Sequence, residues 1–364
     1  MLTPERVHRA LRRRWRRTRR ALVPRRRPVI GLAGFFGAGN YGDELFLEVF
    51  EQYLGADFEL RVLASSMKRP YFDGPVRDIV DDVDAIVVGG GDIVQPWAHD
   101  SRYFHPAFLE KPVFVVGIGV PQYTGANARR PKAQAIRRHR AFLTHPSVRF
   151  LGVRDDQAAA WLRANVSPEI DVRVAPDIVC SLSLPAVDPP EGPPVLGVVT
   201  RFRPRRDVPD DYSRLRELAA HAQSEGWRVR HIVLGTGEVG QRDLEDSHRL
   251  EVPGKELVHS EDLSVLTRAI GGCTALASMK FHGSVVATMY GIPSLVLVGT
   301  NKNRNFMERL GLGALLTNFA APDLVERFEA RPQVPADGLE RVRAATDAHM
   351  RELVESIKKE LGRG

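Results

Sequence analysis

Cysteine is nearly absent. The 364-residue chain has two, Cys180 and Cys273, both inside apolar runs and without metal-ligand spacing. That excludes a disulfide framework and a cysteine-based metal site, and it suits reduced core thiols of a cytoplasmic protein. Long hydrophobic runs are missing too. None approaches the roughly 20 residues that cross a bilayer, and no apolar h-region follows the basic N-terminus, so neither a membrane span nor a signal peptide is expected. Lysine is scarce, 8 residues against 44 arginines, a bias typical of GC-rich bacterial genomes. What remains is globular: 43% hydrophobic and 27% charged residues, in a chain long enough for two α/β domains.

The formal charge of +7 is unevenly spread. Residues 1–27 hold twelve arginines and one glutamate, +11 in all, which leaves the rest at −4. A mildly acidic body argues against nucleic acid as a partner. Within the tail, Thr3-Pro4-Glu5 suits a helix start. Val7, Leu11, Trp15, Thr18 and Leu22 then fall on one helical face among the arginines. A basic amphipathic helix of this kind fits an anionic membrane surface. A solvated tail, a misassigned start codon or an organelle transit peptide has the same composition.

After Pro28 short apolar strands alternate with amphipathic helices, the pattern of a parallel sheet. Strands are expected at 29–34, 58–64, 85–88, 113–116 and 149–153, with helices at 43–53 and 155–164. A proline-rich stretch at 185–194 breaks both patterns and serves as a linker. The alternation then restarts, with strands at 195–200, 229–234, 274–278 and 294–298. Helices are expected at 211–224, 262–269, from about His282 and at 304–310, and a last one at 339–361. The expected organisation is a tail (1–27), a first domain (28–184), the linker (185–194), a second domain (195–334) and a C-terminal helix (335–364). The fold class is α/β, with two Rossmann-like domains facing a cleft, where ligands bind beyond the carboxyl ends of the strands.

The chemistry-bearing residues gather at strand ends. Gly37-Ala38-Gly39-Asn40-Tyr41-Gly42-Asp43-Glu44 matches the dinucleotide fingerprint literally. Asp43 and Glu44 in the first helical turn would oppose a pyrophosphate, although they satisfy the helix dipole. The second strand ends Leu63-Ala64-Ser65-Ser66, without an acid for a ribose, while Ser65, Ser66 and Arg69 would suit an NADP phosphate. Gly39, Asn40 and Gly42 are candidate cleft-lining residues. So are Gly90, Gly91 and Asp92 in Val88-Gly89-Gly90-Gly91-Asp92, where the glycines imply a close approach by ligand or backbone, or a strained turn.

Ser278-Met279-Lys280-Phe281-His282-Gly283-Ser284 carries the strongest signal. His282 falls at a helix N-terminus, where anions are favoured, and histidine transfers protons near neutral pH. A lone histidine there would be read as a cap, but Lys280 beside it favours a site. Arg201, after the first strand of the second domain, can clamp a carboxylate or phosphate. Lys302 adds a cation at another strand end. Gly283 completes the candidate donor-binding set with Arg201, Lys280 and Lys302.

In order along the chain, Gly39-Asn40-Tyr41-Gly42-Asp43, Gly89-Gly90-Gly91, Val153-Arg154-Asp155, Ala175-Pro176-Asp177, Arg201, Lys280-Phe281-His282-Gly283, Gly291-Ile292-Pro293 and Lys302 resemble the polysaccharide pyruvyltransferase family. The resemblance spans residues 29–312. It implies a GT-B-like glycosyltransferase architecture, with the acceptor on the first domain and the donor on the second. It also implies transfer of an enolpyruvyl unit from phosphoenolpyruvate, a co-substrate, to sugar hydroxyls of a surface polysaccharide or its lipid-linked precursor. The product is a pyruvate ketal. Lys280 stands where the family has arginine, keeping the charge without the bidentate fork.

On this reading His282 is the acid and Asp43, or alternatively Asp92, the base. Neither a metal nor an organic cofactor is expected. The enzyme is expected to be cytoplasmic, attached at the inner face of the cell membrane through residues 1–27. Three other readings stay open: a nucleotide-sugar glycosyltransferase using the Gly235-Thr236-Gly237 loop, an NADP-dependent oxidoreductase, and a non-catalytic carbohydrate-binding or scaffolding relative.

Overall fold

A computed structural model of the chain describes residues 27–68, 70–123, 128–188, 191–203 and 212–362. The tail helix expected in 1–27, Arg69 of the NADP reading, the middle of the linker and the start of the helix expected at 211 lie outside the described residues.

Two parallel sheets dominate. The first contains β1 (Val29–Ala33), β2 (Glu59–Val62), β3 (Ala85–Gly91), β4 (Val113–Ile118), β5 (Val148–Val153) and β6 (Arg173–Val174), in the order β2-β1-β3-β4-β5-β6. The second contains β7 (Val195–Val199), β8 (Arg228–Ile232), β9 (Glu256–Val258), β10 (Ala275–Ser278) and β11 (Ser294–Val296), in the order β11-β10-β7-β8-β9. Every residue of β1, β3, β4, β7 and β10 is buried. That is why these strands read as continuous apolar runs: helices cover both faces of each sheet.

The first sheet is flanked by α1 (Tyr41–Leu54), α2 (Val76–Asp81), α3 (Ala133–Leu143) and α4 (Asp156–Asn165). The second is flanked by α5 (Ser213–Ser224), α6 (Gly237–Ser247), α7 (Leu263–Gly271), α8 (Phe281–Met289), α9 (Asn301–Arg309) and α10 (Leu324–Glu329). α1 illustrates the sequence logic, because Leu45, Phe46, Val49, Phe50 and Leu54 recur at helical spacing and all are buried.

The strand order reverses beside β1 in the first sheet and beside β7 in the second, since consecutive strands lie on opposite sides of each. A crevice opens at such a switch point beyond the carboxyl ends of the strands. The loops after β1 and β3 meet the first crevice, and those after β7 and β10 meet the second. All four of these junctions carry candidate residues.

Three local expectations need correction. Gly89-Gly90-Gly91 is not a turn after the strand but its last three residues, with Gly91 still paired to Ile118. What comes close to these glycines is protein: the Phe50 ring over Gly89, the Phe46 ring over Gly90 and the Asp43 carboxylate against Gly91. Lys302 lies inside the first turn of α9 rather than between strand and helix. The final helix, α11 (Ala336–Glu360), does not stand apart. It returns to the first domain and packs on α1, β4, β5 and a short 3-10 helix at Ile178–Ser181. Tyr53 donates to Asp347 at 2.7 Å, and Lys358 pairs with Asp57 at 2.9 Å.

Candidate active site

The glycine loop after β1 does not present a phosphate cradle. The N–H groups of Gly37 and Gly39 both donate to Glu44 Oε1, at 2.9 and 3.0 Å. A carboxylate thus already occupies the place a pyrophosphate would need. The loop instead reaches across the cleft. Thr236 N donates to Gly39 O at 2.8 Å, and Asn40 forms an isolated bridge with Gly235. Gly39, at φ +80°, has no room for a side chain against Thr236. The same contacts cover the loop proposed for a nucleoside, and Gly237 N at the start of α6 donates to Glu261 at 2.8 Å.

Beyond that contact lies a cavity of about 240 Å³ between the domains, walled by Asn40, Gly42, Arg201, Lys280, His282 and Lys302 among others. A larger one of about 850 Å³ adjoins it, sharing Arg201, Val298, Thr300 and Lys302, with Asp92 on its wall. Of the residues singled out by sequence, Gly39, Gly90, Gly91 and Gly283 do not line either cavity. Gly283 packs in α8 against Ser278 Oγ and Leu234. Asp43 is buried just behind the smaller one, at 8% exposure.

His282 stands on the first turn of α8, its ring edge against the backbone of Gly42. Phe46 and Phe281 hold the ring, with centroids at 5.3 and 4.9 Å. Its Nε2 is 3.5 Å from Asp177 Oδ2. Burial opposes ionisation of Asp177. The His282 ring, the Arg154 guanidinium and the Val179 N–H together outweigh it and hold the carboxyl below its usual range. Asp177 therefore faces the imidazole as an ionised carboxylate.

Arg154, at the end of β5 and 5% exposed, joins these groups. It contacts Asp92 directly and lies 3.9 Å from Asp177 and 4.0 Å from Asp155. Lys302 Nζ is 3.2 Å from the other oxygen of Asp92. A chain of alternating charges thus runs from Lys302 through Asp92, Arg154 and Asp177 to His282, with both ends on the second domain and the middle on the first. Both oxygens of Asp92 are thus paired with cations.

Asp43 differs. Burial pushes its carboxyl up to about 6, against the opposing pull of His282 and Lys302. Burial, with Arg154 nearby, brings the Lys302 ammonium down to about 8. Lys280 lines the smaller cavity, but its ammonium is held by Leu234 O at 2.6 Å and by Asp243. Asp243 also accepts from Phe202 N at 2.7 Å, which fixes the segment carrying Arg201. Arg201 itself is exposed on the wall of both cavities.

Arg154, Asp177 and Asp243 had no site role from sequence. The first two sit in motifs that marked the resemblance, at the ends of β5 and β6, and that position was the available signal. Asp243 lies mid-helix in α6 with no local cue.

The family model for polysaccharide pyruvyl transferases matches residues 40–301, well over half of the chain. The chain belongs to this family. No curated protein matches it. Among solved structures, this pyruvyl transferase chain is similar to S. aureus MnaA in its UDP co-structure, at 11% identity and a TM-score of 0.55, with 92% of this chain and 97% of that one covered. It is also similar to UDP-GlcNAc 2-epimerase from Neisseria meningitidis bound to UDP-GlcNAc, at 12% identity and a TM-score of 0.54, with coverage of 91% and 99%. At this identity the likeness concerns the fold: the transferase has a GT-B-like pair of parallel α/β domains. Among the described residues, no helix of the transferase is long and apolar enough to cross a membrane.

Proposed function

We propose that this pyruvyl transferase takes its three-carbon unit from phosphoenolpyruvate and places it on two hydroxyls of a surface polysaccharide or of its lipid-linked precursor. The observation that carries the reading is one small cavity walled by Arg201, Lys302 and His282, with the histidine backed by Asp177. Arg201 and Lys302 offer the two charges a carboxylate and a phosphate need. Lys280 shapes the wall and steadies Arg201 through Asp243, so the donor role expected of it is largely structural.

His282, on the cavity wall and backed by Asp177, delivers a proton to the donor's methylene carbon. The adjacent carbon becomes oxocarbenium-like, its charge balanced by the donor's own carboxylate, while Arg201 and Lys302 stabilise the negative charge that the phosphate carries as it leaves. A sugar hydroxyl adds there and passes its proton to Asp43. The C–O bond to phosphate then breaks and phosphate leaves with the bonding pair. A second hydroxyl closes the ketal, its proton leaving with phosphate, and transfer from Asp43 restores His282.

The test is calorimetric titration with phosphoenolpyruvate, UDP-GlcNAc and NADPH. Charge-assisted hydrogen bonds contribute about 1.5–3 kcal/mol, so Arg201→Ala or Lys302→Ala should each weaken phosphoenolpyruvate binding roughly 10–100-fold. Tighter binding of UDP-GlcNAc or NADPH than of phosphoenolpyruvate would overturn the donor assignment.

A further inference from the structure

The larger cavity shares the cations Arg201 and Lys302 with the smaller and adds Asp92, Arg129 and Arg304. At about 850 Å³ it falls in the roughly 300–1,000 Å³ span of organic-ligand pockets. Its wall also carries the Tyr123 ring and the amides of Gln122, Gln157 and Asn301, none of which lines the smaller.

Tyr123 is 39% exposed, an uncommon cost for a large ring on a cavity wall. It is braced from behind. Its ring centroid lies 5.3 Å from that of Trp97 at a tilt of 33°, while Trp97 is itself 9% exposed. The Arg129 guanidinium covers the indole at 5.4 Å. An aromatic face held by a second ring loses little side-chain freedom when a ligand stacks on it.

The amides are pre-set as well. Gln157 Oε1 accepts from Asn305 at 2.8 Å and from Asn301 at 3.3 Å, which leaves its NH₂ as the donating end. Asn301 Oδ1 in turn accepts from Gln122 N at 3.2 Å. A rigid aromatic face beside oriented amide groups is what a sugar ring requires, C–H groups on the ring and hydroxyls on the amides. Lys302 and Arg201 lie on the wall of both cavities. A saccharide in the larger one would therefore bring its hydroxyls to the edge of the smaller.

We infer that the larger cavity is the acceptor subsite and takes a saccharide of at least two rings, one stacked on Tyr123 and hydrogen-bonded by Gln157. This moves the acceptor away from the glycine segments Gly39 and Gly90–Gly91 and toward Gln122 and Tyr123 and the start of α9. The inference rests on the proposed transfer, but its test is separable from it.

Saturation-transfer NMR on the full chain, with lactose, cellobiose, maltose and N,N′-diacetylchitobiose as probes, reads saccharide binding. Titration of phosphoenolpyruvate on the same samples reads the donor. At least one disaccharide should bind the wild type, equally well with saturating phosphoenolpyruvate present. Tyr123→Ala should weaken that binding at least tenfold, Tyr123→Phe should retain it, and donor affinity should not change in either variant. The exposed position of Tyr123 makes both substitutions compatible with folding, which circular dichroism checks. No disaccharide binding to the wild type, binding indifferent to Tyr123→Ala, or competition with phosphoenolpyruvate would overturn the subsite. Disaccharide binding that depends on Tyr123 without any phosphoenolpyruvate binding would keep the subsite and sink the donor reading instead.

Discussion

Adding one methyl group at Gly42 should disable the histidine without touching it. A Cβ built there would lie 1.6 Å from His282 Nδ1, whereas ordinary contacts begin near 3.4 Å. The ring would have to retreat by nearly 2 Å. It cannot slide freely, because Phe46 and Phe281 flank it and Asp177 lies at its other nitrogen. A displacement of about 1 Å at a reacting group can cost on the order of 100-fold in rate. Gly42→Ala should therefore lower kcat at least about 100-fold, while overpacking costs about 1–3 kcal/mol of stability. Some of that is offset because alanine is the better helix former by up to about 1 kcal/mol. The assay is turnover with thermal unfolding on the same preparation, extended to His282→Ala and the double variant. Once the imidazole is gone the methyl group should cost little further, so the two effects should be strongly non-additive. A folded Gly42→Ala enzyme within threefold of wild-type kcat would refute the placement of His282 at the reacting atoms.

Other perturbations address other parts of the site. Asp43, with its carboxyl pushed up to about 6, should give a kcat profile that rises with pH through that value, and Asp43→Asn should abolish that limb along with most activity. Its raised value also means stability that is fully present below about 3.8 and lost as pH rises through about 6. Asp43→Asn should accordingly be more stable than wild type at pH 8, by up to about 3 kcal/mol, with the gap closing near pH 4; equal melting at pH 8 would refute the burial penalty. Lys280→Met strands Asp243 in the interior and should cost about 3–5 kcal/mol. Lys280→Met with Asp243→Asn should recover much of that stability, and Lys280→Arg should stay near wild type in donor KM. A donor KM that rises in Lys280→Arg would show that the lysine meets the donor directly. Deleting residues 1–27 should leave activity on a soluble acceptor unchanged and reduce sedimentation with anionic vesicles at low salt; equal sedimentation of both forms would favour a merely solvated tail.

Much of this architecture is legible in the sequence, for identifiable reasons. Strands buried on both faces leave unbroken apolar runs, and α1 leaves a 3.6-residue period. His282 and Arg201 stand out as candidates because a strand end names the edge of a parallel sheet where ligands gather. Spatial pairing leaves no such trace. Nothing local in Asp243 announces Lys280 as its partner, and nothing in the fingerprint-like loop says that Glu44 folds back onto its own glycines. The three glycines ending β3 look the same whether a ligand or a phenylalanine presses on them, and only the fold distinguishes the two. Tyr123 is one tyrosine among seven until Trp97 is seen behind it.

The polypeptide joins its two halves at two places, once where β7 begins and again where α11 returns. The charge chain from Lys302 to His282 crosses the same boundary, from the second domain to the first and back. Any change in how the halves meet would act on Lys302 with Asp92 and on His282 with Asp177 together, so the anion clamp and the proton donor stand or fall as one unit.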